Sequence, residues 1–555
     1  MPTLKTLCCA SVPHKMTPRI TLPVRAKELA QLTSIFVLVA ALVSCGGGGG
    51  TEPPPVVGTF TVSTTSASVT LCPGLSRDVE VQVQSSNGFT GSVAITLSGL
   101  PNGVTVSPAS INLKAGQSGT VTFTAANSAA GATSTSIVHG LSGSRSAFRS
   151  LPVAVTFNNA SFVPATINLP IIRIETENHA PIVSKEEYIN AQFKIEANTA
   201  DPAWNFEAPT QIRGRGNSTW YLHPKKPYKI KLLTKTSLMG MPADKEWVLL
   251  ANYSDKTLLR NTIAMELSNR FGLPYAPRSR AVEVFLNGEY EGAYQLMENI
   301  KISTSRVNIP KLTSADIAGD AVTGGYLLEI DQRRDGTIIY DTAHGLPIVV
   351  QDPDPITPEQ WTYISSYLQQ TEDTIYSENF ADPSTGYEQF INSQTFIDWY
   401  LVNEIFKNQD AKFFSSIWMY KERGGKLSLG PVWDFDLGAG NVDYDVTDDP
   451  TGWWVREGPW MSRLFEDPAF EARVQARWQE LKAGQIDTII KFIDQNAAAL
   501  DQSQKNNFQR WPILGVYVWP NPVITGSYEG EVNQLKQWLT TRIQWMDSQL
   551  VPQPN

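Results

Sequence analysis

Residues 57 to about 157 alternate apolar and polar side chains with a period of two, in short runs separated by turn residues. The clearest alternating runs are Val79–Val83, Val93–Leu97 and Val121–Thr124. Turn-forming residues lie between them, at 86–88, 100–103 and 114–116. Short alternating strands with regularly spaced turns are typical of an antiparallel β-sandwich, so we predict one over residues 58–158.

This segment resembles the immunoglobulin-like modules of bacterial surface proteins, which implies an Ig-like sandwich. It is rich in Ser, Thr, Val and Gly and poor in charge. Its sequence shows no constellation of catalytic side chains. We therefore expect a spacer or a binding module here, ahead of the part of the chain that carries chemistry.

From about residue 160 the pattern changes to a mixture of strands and helices with many aromatic residues. The predicted elements are strands at 167–175, 225–232 and 325–331, hairpins at 281–297 and 417–429, and helices at 257–271 and 396–406. Beyond Phe465 the apolar positions follow helical spacing. The sequence thus predicts a multidomain protein, in which the sandwich precedes an α+β domain at 160–553 with a helical C-terminal part.

The N-terminus has the anatomy of an export signal. Basic residues between Arg19 and Lys27 precede a short apolar run, Leu32–Val43, which is too short for a comfortable transmembrane helix. The tetrad Leu42-Val43-Ser44-Cys45 resembles a bacterial lipobox, which implies cleavage before Cys45 and its lipidation. We predict a lipoprotein signal peptide at 1–45, with a plain signal peptide or a buried apolar segment as the alternative.

A Gly- and Pro-rich linker at 46–57 follows, with the composition of a flexible tether. Together, the signal and the linker predict an exported protein that is anchored to a membrane by lipid at Cys45, on the periplasmic or cell-surface side. Of the other cysteines, Cys72 has no partner in the mature chain, so we expect a small buried apolar residue there.

Composition narrows the function. The 555 residues carry a net charge of −9 and a sequence pI near 5.3, which argues against a general nucleic-acid binder. Four Cys and five His show no metal-ligand spacing. Any metal would therefore have oxygen ligands, which suits Mg²⁺, Mn²⁺ or Ca²⁺.

Five motifs follow one another through the second domain. They are Arg213–Trp220, Lys225–Leu232, Leu249–Asn261, Phe285–Tyr294 and Gly430–Asn441. In this order they resemble the CotH kinase family, which is named for a spore coat protein. The resemblance implies a protein-kinase-like fold, binding of ATP with Mg²⁺ or Mn²⁺, and phosphorylation of a protein substrate whose identity the sequence does not give.

A phosphoryl-transfer site needs a loop over the phosphates and cations to balance their charge. Gly214 and Gly216 would let the backbone approach phosphates, although a plain turn explains such glycines about as well. The cofactor-binding candidates are Arg213, Arg215, Lys229, Lys231, Glu298 and Lys412. We choose Lys231 as the catalytic lysine because the family's motif ends on it, and we expect Lys225 and Lys226 to be solvated.

The carboxylate that would orient this lysine is left open between two residues, Glu266 on the predicted helix and Glu298 at the end of the hairpin. Glu298 matches the family pattern Tyr-x-Leu-x-Glu. That position alternatively lies near the nucleotide base or sugar.

The strongest local signal is acidic. Asp410 stands where kinases have the base that accepts the substrate proton, and Asp434 stands where they have the metal-binding Asp. Asp436, two residues later, is predicted to reach the same metal, and Ser415 replaces the usual metal-binding Asn. The alternatives to a kinase are another ATP-using transferase on the same fold and a non-catalytic surface adhesin or assembly scaffold.

Overall fold

The computed structural model describes residues 58–126 and 129–551, which fall in one compact unit, Val57–Asn555. The predicted signal peptide at 1–45, the lipidation of Cys45 and the linker at 46–57 lie outside the described residues. No helix in the described part of the chain is both long and apolar enough to cross a membrane.

The N-terminal region is built from strands alone. They are β1 (Thr59–Thr64), β2 (Val69–Leu71), β3 (Ser76–Ser86), β4 (Ser92–Ser98), β5 (Val104–Ser107), β6 (Ser110–Lys114), β7 (Ser118–Ala125), β8 (Ala132–Ser142) and β9 (Arg145–Val155). One sheet has the order β1-β3-β7-β5 and the other β2-β9-β8-β4-β6. Alternate residues of both sheets meet in one apolar core, because a period of two turns every second side chain inward. Cys72 is buried and unpaired, as predicted.

A closed barrel follows. Its strands are β10 (Ile171–Thr176), β11 (Ile189–Glu196), β12 (Phe206–Gly214), β13 (Tyr228–Thr236), β14 (Asp244–Leu250), β15 (Ser279–Leu286) and β16 (Glu289–Glu298). The order around the barrel is β10-β11-β12-β13-β14-β16-β15, and parallel pairing of β15 with β10 closes it. Buried side chains such as Ile212, Ile230 and Trp247 fill the interior. Helix α1 (Ser218–Leu222) joins β12 to β13, and α2 (Arg260–Arg270) joins β14 to β15.

The rest of the chain surrounds a second sheet with helices. The sheet consists of β17 (Tyr326–Ile330), β18 (Ile339–Asp341), β19 (Pro347–Asp352), β20 (Ile417–Lys421) and β21 (Leu427–Leu429), in the order β18-β19-β17-β20-β21. The helices are α3 (Pro358–Tyr376), α4 (Ser393–Phe406), α5 (Pro459–Leu464), α6 (Pro468–Leu481), α7 (Ile489–Ala499), α8 (Asp501–Arg510) and α9 (Tyr528–Leu550). The sheet, α2 and most of these helices share the largest apolar core.

The predicted multidomain arrangement is confirmed in its coarse form, with a β-rich N-terminal region and a helical C-terminal part. The hairpin with Asn287-Gly288 at its turn is present as β15 and β16. Three helices were not predicted, α1, α3 and α5. Helix α3 begins at a capping box in which the side chains of Thr357 and Gln360 each bind the other residue's backbone N–H.

Helix α4 fixes the position of the chain on its C-terminal side. Nearly all of its residues are buried, so it runs through the centre of the largest core and not along its surface. The helix ends at Phe406. The next residue, Lys407, has a left-handed backbone (φ 41°) that turns the chain toward a short 3₁₀ helix, Gln409–Ala411. The chain after this turn is therefore held in place by the packing of the whole domain.

Candidate active site

A cavity of about 250 Å³ lies where the ends of three barrel strands face the second sheet. The barrel contributes the loop after β12 with the start of α1, and the end of β14. The second sheet contributes side chains of β17, β19 and β20 and the loop after β17. The lining residues that carry charge are Arg215, Glu329, Asp331, Arg333, Asp335, Asp410, Asp434 and Asp436. Six acidic residues thus share the cavity with two arginines.

Asp410 enters this cavity from the 3₁₀ turn that follows α4. Its Oδ2 accepts a hydrogen bond of 3.0 Å from Nη2 of Arg333, and its carbonyl oxygen accepts bonds from the backbone N–H groups of Phe414 and Ser415. Burial raises the pKa of Asp410 to about 6, although Arg333 acts in the opposite direction. A carboxyl group whose pKa is near neutral pH, and whose backbone is held by hydrogen bonds, has the properties of a general base.

Asp434 and Asp436 follow β21 and flank the buried Phe435. The N–H of Phe435 donates to Oδ1 of Asn261 at 2.9 Å, and its ring meets Phe406 of α4 edge-on at 5.0 Å. Asp434 itself has a left-handed backbone, with φ 64°. Phe435 is buried in the core, while the two flanking residues, Asp434 and Asp436, line the cavity.

The two carboxyl groups are close enough to share a hydrogen bond. Burial raises the pKa of Asp436 well above its usual range, and the charge of Asp434 and the bond between the two groups add to this effect. Such a crowded pair is stable only when a proton or a cation sits between its oxygens. Carboxylate oxygens are also the ligand type that hard divalent cations prefer.

The carboxyl groups of Asp434 and Asp436 suit Mg²⁺ or Mn²⁺ better than they suit a cation whose ligands all come from the protein. Within residues 58–126 and 129–551, no three Asp, Glu, His or Cys side chains converge closely enough to hold a metal by themselves. Mg²⁺ is commonly held by one or two carboxylates, with waters and substrate phosphates completing its shell. Asp434 and Asp436 meet that requirement, while Ser415 is hydrogen-bonded through its Oγ to Arg333.

Residues of α2 hold this acidic segment in place. Arg260 donates through Nε to the carbonyl of Gly438 at 2.9 Å and forms a buried ion pair of 2.6 Å with Asp255. Asn441 donates to the carbonyl of Asp436 at 2.7 Å. The motif residues Arg260 and Asn261 are therefore positioning residues for the segment around Asp436, and they do not themselves provide charge to the cavity.

The loop after β12 supplies the barrel side of the cavity. Arg215 lies with its guanidinium 5.5 Å from the centre of the Trp433 ring, and burial lowers its pKa while Asp434 and Asp436 act in the opposite direction. Gly216 has φ 80°, where a side chain would be strained. A Cβ at Gly214 would lie 2.4 Å from the ring of Trp220, so that glycine also serves packing.

The structure places the predicted lysine elsewhere. Lys231 does not line the cavity. It is exposed on the outside of the barrel, with its Nζ 5.7 Å from the centre of the Tyr188 ring. Its neighbour Lys229 is less exposed and forms an ion pair of 2.9 Å with Glu246 of β14. Neither lysine lines the cavity, and Lys229 differs from Lys231 in being half-buried and paired with a glutamate. The choice of Lys231 over Lys229 is corrected on this ground, because alternation identifies the face that both lysines share and not which of them is paired.

Neither of the two proposed partners of that lysine contacts it. Glu298 forms an ion pair with Arg278 at 2.9 Å, and Glu266 forms one with Arg270 of its own helix. The glutamate that does contact Lys229, Glu246, was not predicted. Burial would raise the pKa of Glu246, but Lys229 and Lys301 outweigh this effect and lower it to about 2. Strand β14 was itself not predicted, and the period-two spacing of Asp244 and Glu246, opposite in charge to Lys229 and Lys231, was the signal that could have found it.

The structure differs from three further predictions about positively charged side chains. Arg213 is turned away from the cavity and donates to the carbonyl oxygen of Lys185. Lys412 forms an ion pair with Glu457 at 2.7 Å over the ring of Trp454 and does not line the cavity. Lys225, expected to be solvated, is buried, and burial lowers its pKa to about 7. Each of these side chains is held by neighbours that are distant in sequence.

The second sheet contributes residues that the sequence did not point to. Arg333 is the most important, since it contacts both Asp410 and Ser415. Glu329 accepts a hydrogen bond of 2.8 Å from Gln351, and burial raises its pKa to about 8. The acidic spacing of Glu329 and Asp331 at a strand end repeats that of Asp434 and Asp436, which was the available signal.

Comparison with known proteins identifies the family of this chain. The sequence profile of the family described as CotH kinase protein matches residues 212–546, more than half of the chain. This protein belongs to the CotH kinase family. A search of curated protein sequences gave no significant match.

Solved structures give only weak likenesses. Domains 4 and 5 of the S-layer protein SbsC are 19% identical over 18% of this chain and 54% of theirs, with a TM-score of 0.14. A protein of unknown function from Porphyromonas gingivalis W83 is 12% identical over 28% of this chain and 72% of its own (TM-score 0.15). Fibronectin(III)-like modules of Clostridium thermocellum CbhA are 10% identical over 34% and 90%, respectively (TM-score 0.14). The matched part spans about half of the S-layer fragment, and likenesses this weak carry no argument about function.

Proposed function

We propose that residues from about 160 onward form a protein-kinase-like phosphotransferase, which transfers a phosphoryl group from ATP to a hydroxyl of a secreted or surface protein. The observation that carries the proposal is the meeting of Asp410, Asp434 and Asp436 with Arg215 and Arg333 in one cavity. A general base, a carboxylate pair for Mg²⁺ or Mn²⁺ and cations for phosphate are the parts that phosphoryl transfer needs. Membership of the CotH kinase family supports the same function.

In this proposal Asp434 and Asp436 hold the metal, which when bound neutralises phosphate charge and orients the ATP phosphates. Arg215, on the barrel side, and Arg333, on the sheet side, contact phosphate oxygens, which guanidinium groups match in shape and charge. A cavity of about 250 Å³ is small for a whole nucleotide, so it suits the phosphates and the metal, with the nucleoside extending from its mouth.

Asp410 orients the acceptor hydroxyl and takes its proton. Arg333 binds one of its carboxylate oxygens, Oδ2, so Oδ1 is the oxygen that faces the acceptor. The ion pair keeps Asp410 ionised against the effect of burial, which is the state that a base requires. Ser415 belongs to this arrangement through its bond to Arg333 and not as a metal ligand.

Lys229, and not Lys231, is the candidate for the lysine that kinases pair with a glutamate. Burial lowers the pKa of Lys229, Glu246 opposes this effect, and the charge of Arg215 is near enough to act on it as well. Lys229 lies opposite Arg213 in the pairing of β13 with β12, so its ion pair with Glu246 is at the base of the loop that follows β12.

The remaining parts of the chain complete the proposal. The N-terminal sandwich is proposed to be an Ig-like spacer or binding module, and Cys45 a lipid anchor that holds the protein to a membrane after export. The catalytic domain would then act on proteins outside the cytoplasm. Nucleic acid is not a proposed partner, given the net charge of −9.

The test is incubation of the purified full-length protein with labelled ATP and Mn²⁺ or Mg²⁺, using a mixed protein acceptor. We expect label in protein from the wild type and from Asp448→Asn, a control in an exposed loop, and none from Asp410→Asn. Intact-mass analysis separates addition of a phosphoryl group from addition of a nucleotide, which would indicate the alternative transferase. Equal labelling by wild type and Asp410→Asn would disprove the role given to Asp410.

A second readout does not need turnover. ATP with Mg²⁺ is expected to raise the melting temperature of the wild type, because a ligand that binds only the folded state stabilises it. Failure of both readouts would favour the non-catalytic scaffold.

A further inference from the structure

A second opening, of about 700 Å³, lies beside the candidate active site and takes no part in it. Its wall is formed mainly by ring-bearing and aliphatic side chains, namely Phe157, Leu222, His223, Tyr253, Tyr517 and Trp519. None of its lining residues is charged at neutral pH, because burial lowers the pKa of His223 to about 4. We call this opening the aromatic groove.

The aromatic groove exposes more apolar surface than folding alone explains. Leu222 is 61% exposed, Tyr517 50% and Trp519 37%, and Tyr221 beside them is 67% exposed. Single exposed apolar residues are ordinary, but a contiguous group around a concave surface is typical of a binding site.

Two links connect the aromatic groove to the candidate active site. Helix α1 lines the catalytic cavity with Ser218 and Thr219 at its first turn and the groove with Leu222 at its last residue. One turn of helix separates the two, a rise of about 6 Å. A molecule held in the groove therefore lies next to the mouth of the catalytic cavity.

The second link is a pair of stacked rings. Tyr444 stacks on Trp519 with the ring centres 6.0 Å apart. The chain beside Tyr444 is joined to the chain beside Asp410, because Gln409 donates a hydrogen bond of 2.6 Å to Asp445. Tyr517 is fixed in the same wall by a hydrogen bond of 2.6 Å from its hydroxyl to Asp443.

We propose that the aromatic groove binds the acceptor protein, through an extended uncharged segment with proline or aliphatic side chains that lies to one side of the phosphorylated residue. The inference rests on the proposed function and gives it an acceptor class. Aromatic walls bind such segments because the extended chain is already ordered and its side chains cover the rings. A charged segment fits less well, since no lining residue of the groove is charged.

The spacing of the two sites sets the position of the apolar residues. The rise of about 6 Å between Ser218 and Leu222 along α1 equals about two residues of extended chain, and the widths of the two openings add to it. The acceptor hydroxyl and the apolar segment should therefore be separated by more than two residues, and a separation of about four is used in the test.

The probe is a pair of fluorescein-labelled peptides of equal length and charge, each centred on one Ser. The first has Pro-Pro-Leu about four residues from the Ser, and the second has Gly-Asn-Gly there. Fluorescence anisotropy with the full-length protein, without nucleotide, measures binding independently of catalysis. We expect the first peptide to bind at least about tenfold more tightly, as aromatic anchors at the centre of an interface commonly provide.

The groove variants are Leu222→Ser with Trp519→Ser, and separately Tyr517→Ser. The matched control is Phe148→Ser, an exposed ring on the sandwich (75%). The groove variants should lose the tenfold preference with unchanged melting temperature, and the control should keep it. In phosphorylation assays the same variants should raise KM for the first peptide and leave kcat unchanged.

Equal binding of both peptides, retention of the preference by the groove variants, or its loss in Phe148→Ser would overturn the inference. The inference would also be overturned if the aromatic groove bound an oligosaccharide and neither peptide. A preference in binding with no phosphorylation of any acceptor would instead count against the proposed function and leave the aromatic groove as a peptide site.

Discussion

The two sides of the catalytic cavity are built differently. The acidic wall (Asp410, Asp434 and Asp436) comes from segments whose backbones are tied into the largest core, through α4, Phe435 and the side chains of α2. The barrel wall (Arg215 to Thr219) is a loop with a five-residue helix, and its charged neighbours Lys229 and Glu246 form a partly buried pair.

This difference suggests a division of labour. The acidic wall is fixed before any ligand arrives, which suits groups that must hold a metal and take a proton at defined positions. The barrel wall has fewer anchors and suits groups that close on phosphates. Substitutions in the acidic wall should therefore abolish activity, while substitutions near the barrel wall should reduce it only in part.

The largest effect is expected for Asp434→Asn. Removing one carboxylate of the metal pair should lower kcat by about a thousandfold or more, since electrostatic groups of this kind supply several kcal/mol. The stabilisation of the protein by Mg²⁺ with ATP should be lost in a thermal melt. Asp448→Asn, in an exposed loop, should keep both properties, and full activity of Asp434→Asn would show that this carboxylate is not a metal ligand.

Arg333→Gln is expected to come next, with a loss of about a hundredfold in kcat. Its guanidinium contacts the proposed base, so the change should also shift the dependence of kcat on pH. The neighbouring exposed Arg334 pairs with Asp341 on the surface, and Arg334→Gln should behave as wild type. Similar losses in both variants would mean that the loop matters only for folding.

Lys229→Met against Lys231→Met separates the two lysines of β13. We expect Lys229→Met to lower kcat/KM by about ten- to a hundredfold, because Glu246 loses its partner and a positive charge near Arg213 and Arg215 is removed. Lys231→Met should remain within about twofold of wild type, since its side chain is exposed. The reverse order would restore the interpretation based on the sequence motif.

The smallest effect concerns stability. Lys225 donates to Asn507 at 2.8 Å and to the carbonyl of Ala293, and its pKa is about 7 in the fold against 10.5 in a free side chain. The unfolded chain therefore holds more protons between these values, so stability gained from Lys225 rises with pH through that window. Relative to Lys225→Met, the wild type should gain about 2 kcal/mol of unfolding free energy between pH 7 and 8.5 in urea denaturation. A pH-independent difference would show that this lysine stays charged when buried.

Parts of this architecture follow from local sequence and parts do not. The β15–β16 hairpin was predictable because Asn287-Gly288 selects its own turn. Asp410, Asp434 and Asp436 were placed by motif order, and all three line one cavity. Helix α3 was missed because its polar residues blur the apolar spacing, although its capping box is visible in the sequence.

The remaining errors have one physical origin. Strand alternation fixes which face Lys229 and Lys231 share, but the closure of a barrel decides how far each lies from the cavity. Arg333 was missed because it approaches Asp410 from a loop 77 residues earlier in the chain, and no local period records such a meeting. Pairings between distant segments depend on packing that a single sequence does not display.

The left-handed backbone of Asp434 has a consequence for engineering. A side chain at φ 64° costs about 1 kcal/mol that glycine does not incur, and Asp434 also crowds the carboxyl group of Asp436. Asp434→Gly would therefore relieve both strain and repulsion. A selection for heat resistance alone would enrich this substitution, although it removes a proposed metal ligand. Thermostable variants of this protein should therefore be sequenced at position 434 before their activity is measured.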